Sequence, residues 1–298
     1  MGTLKWKIGS NRKKNTGVDG VKVGDAPSNR MIMRSTATDG MLTVDGGTSS
    51  GSGSAVLLAA FSATTDGFAT KGGITLYNKA WFDVWTGWSY DGTRAYRARQ
   101  GESGGWTELG FTGLSQLQEI YVSFRAYMPD GTEGVGPAFF TPSSNNNDKL
   151  IRVWGYSYGG TYNQKMGAST WNGQAGGEYQ WSGGPGVRWD MGQGPYANPK
   201  TDLWVASNRG RWLLVQIRLR IASSSNNDGI IQSWVDGVPA MNLTAVENYV
   251  YPDDLAPNAN QGHNYFEEGY ILGAWNSGAP VGQYMYLDDV RFSTGGFA

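Results

Sequence analysis

In one segment in the last third of the sequence, every second side chain is aliphatic. Successive side chains of a β-strand point to opposite faces, so residues 212–221 predict a strand with one face in a core. The intervening positions are mostly aromatic, cationic or amide, and they would occupy the opposite face. The aliphatic positions are Leu213, Val215, Ile217, Leu219 and Ile221.

The same alternation recurs in residues 120–128, 150–158 and 231–235, and in each the second face carries Tyr, Trp, Arg or Gln. A plain solvated face favours Lys, Glu, Thr and Ser. Aromatic rings fit the C–H faces of sugars, and Arg and Gln supply donors for hydroxyls or carboxylates. We therefore predict either a carbohydrate-binding face or a face covered by a loop or subunit. The candidate residues are Tyr121, Arg125, Tyr127, Arg152, Trp154, Tyr156, Gln216, Arg218 and Trp234.

Composition supports an all-β fold. The 298 residues include 45 Gly and 13% aromatics, and Asp-Gly turn signals separate short β-type runs. The absence of Cys excludes a disulfide framework and thiolate metal sites. A net charge of -1 argues against a nucleic-acid partner. No capped segment of helical period is present, so a two-sheet antiparallel sandwich is expected.

The first 54 residues differ in composition from the rest. A basic cluster at 12–14 is followed by Gly, Ser and Thr, and residues 46–54 are a Gly/Ser-rich run. This predicts an extended N-terminal arm and linker ahead of a sandwich at 55–298. Such an arm is ordered only by docking, so we expect it to contact a neighbouring protein subunit or its own sandwich. Residues 159–198 are rich in Gly and Trp, and we predict that they form a long loop over the surface of the sandwich.

Neither a secretory signal nor a membrane partner is expected. Residues 1–10 lack an apolar run, and the apolar segment 55–61 is far too short to span a bilayer. We therefore expect the chain to be made in the cytosol. A location on a virion surface or outside the cell would then be reached by another route, such as release of assembled virus particles.

Several segments together resemble the concanavalin A-like lectin/glucanase superfamily, whose fold is a jelly-roll sandwich. The resemblance covers about residues 75–293 and implies a glycan-related role, although this fold hosts lectins, glycosidases, lyases and viral structural domains. It is carried by residues 94–99, 121–128, 210–218, 228–237 and 286–292.

Within that superfamily, Gln216-Ile217-Arg218 resembles the Gln-Ile-His motif of alginate-lyase-type enzymes, with Arg218 in place of the His. An Arg does not lose its proton near neutral pH and cannot act as the general base. The resemblance still implies that Arg97, Arg99 and Gln216 bind an acidic sugar. The Tyr-x-Lys-x-Gly-x-Tyr pattern of those lyases is absent from the C-terminal region, and no glycosidase-type pair of carboxylates on one strand face occurs.

Candidates for catalysis and for a metal are few. His263 is the only histidine, and with Tyr265 two residues on it is a weak candidate for a base and acid pair. No cofactor is expected other than Ca²⁺, for which Asp288 and Asp289 are candidate ligands. Because these two residues are adjacent in a predicted strand, their side chains should point to opposite faces.

Three functions follow from these observations. The first is a non-catalytic structural and recognition protein of a virion capsid decoration or tail type, anchored by its arm and meeting a glycan or other subunits. The second is a polysaccharide lyase or glycoside hydrolase acting on an acidic polysaccharide. The third is a cellular lectin-like carbohydrate-binding module, which differs from the first in its assembly.

Overall fold

The structure is a computed structural model that describes most of the chain beyond the N-terminal region. The described ranges are 33–35, 42–44, 54–100, 107–139, 147–154, 165–171, 174–182, 187–190, 206–223, 228–246, 265–272 and 283–298. The chain divides into two units, Met1–Ser50 and Gly51–Ala298. In the first unit the structure describes one antiparallel pair of strands, β1 (Met33–Ser35) and β2 (Leu42–Val44).

The second unit is built from two antiparallel sheets, which confirms the predicted all-β sandwich. Within the described ranges a single turn of 3₁₀-helix occurs at Ala206–Asn208, and no helix there is long and apolar enough to cross a membrane. Sheet one has the strand order β13-β12-β11-β10-β17-β8-β5-β4. Its strands are β4 (Thr70–Lys71), β5 (Ile74–Ala80), β8 (Glu108–Leu117), β10 (Asn147–Trp154), β11 (Lys165–Trp171), β12 (Gln174–Ser182), β13 (Val187–Asp190) and β17 (Phe266–Ile271).

Sheet two has the order β16-β15-β14-β9-β18-β7-β6, and β3 pairs with the second half of the long strand β18. Non-consecutive strands lie side by side in both sheets, as in a jelly roll. The strands are β3 (Val56–Phe61), β6 (Phe82–Thr86), β7 (Arg94–Gln100), β9 (Glu119–Tyr127), β14 (Trp212–Arg220), β15 (Gly229–Val235), β16 (Val238–Val246) and β18 (Gln283–Thr294).

The core between the sheets is formed by the side chains that alternation assigned to it. Val215, Ile217 and Leu219 of β14 are fully buried in one cluster with Val122 and Phe124 of β9. Burial along β14 alternates at every residue. Each such aliphatic side chain contributes about 1.5–3 kcal/mol when removed from water, so this layer fixes the register of both strands.

The expectation that four strands share one outer face is wrong. Strands β9, β14 and β15 belong to sheet two, whereas β10 belongs to sheet one. Ile151 and Val153 of β10 enter the common core, so Arg152 and Trp154 point away from the core on the opposite side of the sandwich. Alternation along one strand separates two faces but does not say in which sheet the strand lies.

The Gly- and Trp-rich segment 159–198 contains strands rather than only a loop. Strands β11, β12 and β13 pair in sequence with β10 and extend sheet one. Glycines interrupt the hydrophobic alternation in this segment, which is why the pattern did not indicate strands. The boundary near residue 54 and the docking of the arm stay predictions.

Candidate functional site

The centre of the outer face of sheet two is covered by the chain itself. Tyr127 and Tyr286 are buried there in a second hydrophobic cluster. Trp88 packs on Tyr127 with ring centroids 5.1 Å apart, and the Tyr286 hydroxyl donates to the Val135 carbonyl. Segments 87–92 and 130–137 thus form a third layer, as large loops often do on one sheet of a sandwich. Tyr127 is a core residue and not part of an open sugar-binding face.

Most arginines predicted to bind sugar carboxylates on sheet two are held by the protein's own groups. Arg97 makes a two-point contact with Asp83, at 2.9 and 2.6 Å. Arg218 donates to Glu119 at 2.6 Å. The guanidinium of Arg125 lies 4.5 Å from the ring centroid of Tyr90. Arg99 differs, because 45% of its side chain is exposed.

The remaining sheet-two candidates lie at the other end of the same face. Tyr121 and Trp234 both contact the ring of Phe297, at 5.1 and 5.5 Å between centroids. Gln216 is half-buried and lies in register between Ser123 and Trp234. The C-terminal residues therefore cover part of this face. The alternative of a covered face describes sheet two better than an open aromatic platform.

Asp288 and Asp289 have structural contacts. The buried Asp288 carboxylate accepts N–H bonds from Ala63 at 3.1 Å and from Tyr90 at 3.2 Å, which ties two loops to β18. Asp289 pairs with Arg291 at 2.7 Å. No group of three or more His, Asp or Glu side chains suited to a metal occurs among the residues that the structure describes. Residues 140–146 and 251–264 lie outside them.

We expect Asp288 to make stability depend on pH. Burial raises the pKa of this carboxyl to about 6, with a contribution from Asp91, although backbone N–H donors act in the opposite direction. The folded protein therefore retains a proton that the unfolded chain releases near pH 4. The free energy of unfolding should fall by up to about 3 kcal/mol as the pH rises from about 4 to about 6.

The variant Asp288→Asn tests this expectation. It keeps the shape and one acceptor oxygen but does not ionise, so urea unfolding between pH 4 and 7 should show a smaller fall than in wild type. Equal pH dependence in the two proteins would show that Asp288 is not the responsible group.

A different cluster of polar and aromatic side chains lies on the outer face of sheet one. Pairing between strands places them in adjacent rows. One row runs from Tyr77 through Gly110 and Tyr270 to Arg152, and the next contains Thr112, Glu268 and Trp154. We call the cluster the sheet-one site, comprising Tyr77, Lys79, Glu108, Arg152, Trp154, Glu268 and Tyr270.

A β-bulge positions Lys79 in this site. Asn78 pairs with Leu109 and Ala80 with Glu108, so Lys79 is an additional residue in β5 without its own ladder partner. Bulges re-aim side chains and are common beside functional sites. The Lys79 ammonium lies 3.1 Å from Glu108 and about 5 Å from the rings of Trp154 (5.0 Å) and Tyr270 (5.2 Å). Its side chain is 16% exposed.

Tyr77 lies over a residue without a side chain. A Cβ at Gly110 would approach the Tyr77 ring to 2.5 Å, so glycine permits the ring to contact β8 at this position. Burial raises the pKa of Tyr77, and the carboxylates of Glu268 and Glu108 raise it further. Tyr77 therefore keeps its phenolic proton at neutral pH and can donate it in a hydrogen bond.

The sheet-one site contains accessible and buried layers. Tyr77 and Glu268 are half-buried, whereas Arg152, Trp154 and Tyr270 are buried. Trp154 and Tyr270 pack together with ring centroids 5.1 Å apart, and both rings face the Lys79 ammonium. Lys79 is ion-paired, as Arg97 and Arg218 are, but it lies in one site with a half-buried phenol, Tyr77, and a half-buried carboxylate, Glu268. Together these three groups suit the carboxylate and hydroxyls of a sugar acid.

Sequence reasoning found only part of this site. It selected Arg152 and Trp154, which the structure places together, but not Tyr77, Lys79, Glu108, Glu268 or Tyr270. A signal was available for Tyr77, because Ile74 and Leu76 alternate with Thr75 and Tyr77 as in the other strands. Tyr156 and the weak catalytic candidate His263 lie outside the described residues.

Comparison with known proteins identifies the fold. No protein-family model and no curated protein matches the chain. Among solved structures, an endo-β-1,4-glucuronan lyase from the fungus Trichoderma reesei superposes with a TM-score of 0.52 at 14% identity, covering 80% of this chain and 96% of that one.

Two alginate lyases are similar to a lesser degree. One, from Chlorella virus, has a TM-score of 0.46 at 14% identity and covers 80% of this chain and 99% of that one. The other, from Aplysia kurodai, has a TM-score of 0.45 at 12% identity and covers 80% and 98%. The chain therefore has a β-sandwich fold that is also found in a glucuronan lyase.

Proposed function

We propose that this protein recognises an acidic polysaccharide through the outer face of sheet one. The observation that carries the proposal is the position of Lys79, a bulged cation set between Glu108 and two aromatic rings on a partly open face. Tyr77 and Glu268 beside it supply a donor and an acceptor for sugar hydroxyls. The sandwich fold shared with the glucuronan lyase supports a uronic-acid polymer as the ligand class.

The charges and proton-donating groups of the site residues favour recognition of the polysaccharide over its cleavage. β-Elimination needs a group that neutralises the sugar carboxylate, a base that removes the adjacent carbon-bound proton, and a donor for the departing oxygen. Lys79 suits the first role because it acts as a cation beside Glu108, and Tyr77 suits the third because its raised pKa keeps it protonated. Among the described members of this set, Glu268 is the accessible carboxylate that could act as a base. Its negative charge disfavours that role beside the carboxylate of the sugar, because like charges repel.

A lyase is the second candidate function, because two of the three required roles have suitable groups in one site and the fold occurs in a glucuronan lyase. In the elimination, the base would take the proton, the bond to the leaving oxygen would break as a carbon–carbon double bond forms, and Tyr77 would protonate that oxygen. We further propose that the protein is located on a virion surface and is attached there through its N-terminal arm, a role that the basic and Gly/Ser-rich composition of residues 1–54 supports.

The proposal predicts selectivity for carboxylates. Calorimetric titration with β-1,4-linked glucuronan and with β-1,4-linked glucan oligosaccharides of equal length compares ligands that differ only in the carboxylate. We expect at least about tenfold tighter binding of the acidic ligand, about 1.4 kcal/mol. Equal affinity for the two ligands, or no binding of any uronate polymer, would contradict the proposal.

The same samples distinguish recognition from cleavage. A lyase generates unsaturated sugar ends that absorb in the ultraviolet, whereas a recognition protein leaves the polymer length unchanged. We expect binding without new ends. A steady increase in unsaturated sugar ends with the wild-type protein would instead show that the lyase candidate is correct.

A further inference from the structure

Trp81 is an exposed aromatic residue at the point where the chain passes from sheet one to sheet two. It is the single residue between β5 and β6, and 57% of its surface is accessible. Its φ of +54° places a bulky residue in the left-handed region, which is strained for any L-residue with a large side chain. Such strain is often kept where a side chain must be presented for a function.

Backbone contacts on both sides hold this conformation. The Trp81 carbonyl accepts the Arg99 N–H at 2.9 Å, and the next residue, Phe82, donates its N–H to the Asn78 side chain at 3.1 Å. The Phe82 side chain is buried in the core. The indole ring is therefore presented on a fixed part of the fold.

Charged groups lie beside the ring on sheet two. The Arg99 guanidinium is 5.9 Å from the ring centroid and 3.5 Å from the Asp83 carboxylate. Asp83 is fixed by its two-point contact with Arg97, which itself stacks on Trp85 at 3.8 Å. An accessible ring thus has a guanidinium next to it and a carboxylate anchored within reach of that guanidinium.

We propose that Trp81, Arg99 and Asp83 form a second sugar-binding subsite, separate from the sheet-one site. The ring provides an apolar platform for one pyranose face, and the two charged groups bind adjacent hydroxyls. Because Asp83 offsets the charge of Arg99, the subsite recognises hydroxyls and does not require a carboxylate on the sugar. A protein partner fits less well, since the anchored Asp83 carboxylate is of a residue type that is depleted at protein interfaces.

The test uses the full chain and a short neutral cello-oligosaccharide, with binding followed by titration. Trp81→Gly removes the ring and places glycine where φ is positive, so the fold should be retained. We expect about fivefold to tenfold weaker binding for this variant and a smaller loss for Arg99→Gln. Phe68→Ala is the control, because it removes another exposed aromatic side chain (38% accessible) and should leave the affinity unchanged.

Two outcomes would overturn the subsite. One is unchanged affinity of Trp81→Gly for the neutral oligosaccharide. The other is no measurable binding of this oligosaccharide by wild type together with a lower oligomeric state of Trp81→Gly in sedimentation, which would make Trp81 a protein contact. A negative result for this subsite does not affect the sheet-one proposal, because the sheet-one proposal is tested by the selectivity for the uronate ligand over the neutral one.

Discussion

Gly269→Ala is expected to lower the free energy of unfolding by about 3 kcal/mol, among the largest effects of a single added methyl group in this chain. Gly269 lies in β17, near the middle of sheet one, and pairs with Val153 on one side and Phe111 on the other. A Cβ there would lie 2.2 Å from the Arg152 carbonyl oxygen and 2.5 Å from the Phe111 ring. Neither can retreat, because the carbonyl belongs to the sheet and the ring is buried in the core.

Chemical denaturation of the variant measures this loss, and Gly134→Ala is its control. Gly134 has a positive φ, but beyond its chain neighbours no atom lies within 4 Å of the point that a Cβ would occupy. Only backbone strain of about 1 kcal/mol should therefore appear in the control. If Gly269→Ala were no less stable than Gly134→Ala, the close approach of β10 and β17 would be wrong. The placement of Arg152 beside Tyr270 would then also be wrong, because it depends on the same pairing of β10 with β17.

The second large effect concerns the ion pair in the sheet-one site. Lys79→Met should lower the free energy of unfolding by about 2 to 4 kcal/mol, because it takes the Lys79 cation away from the Glu108 carboxylate, which is 4% exposed. The same variant should lose binding of the uronate polymer. A stability loss alone, however, would also follow if the pair had only a structural role.

The double variant Lys79→Met/Glu108→Gln separates the two roles. Gln has the shape of Glu without the charge, so denaturation should show that most of the lost stability returns. Affinity for the uronate polymer should stay at least about tenfold below wild type, because the cation is still missing. Recovery of both stability and affinity in the double variant would show that Lys79 does not contact the ligand.

The core was predictable from the sequence, and the surfaces were not. Alternation identified Phe124, Val215 and Ile217 as core residues because burial in a sandwich follows the period of the strand. It could not show that segment 87–92 covers Tyr127, since a covered face and an open aromatic face have the same composition. For the same reason, Trp154 was assigned to a face shared with Gln216, although the two lie on opposite sides of the sandwich.

The main elements of the candidate site depend on pairing between distant strands. Lys79 and Glu108 are 29 positions apart in the sequence, and Arg152 and Tyr270 are still further apart. Only the order of strands in sheet one brings them together. A local bulge then determines where the Lys79 side chain lies, and nothing in the composition of β5 indicates it.

The most direct measurement of the central claim is a crystal structure of the protein bound to an oligoglucuronate. We predict that a sugar carboxylate lies within hydrogen-bond distance of the Lys79 ammonium and that Tyr77 contacts a neighbouring hydroxyl. An oligosaccharide bound only on sheet two, with Lys79 and Tyr77 free of contact to it, would contradict the claim.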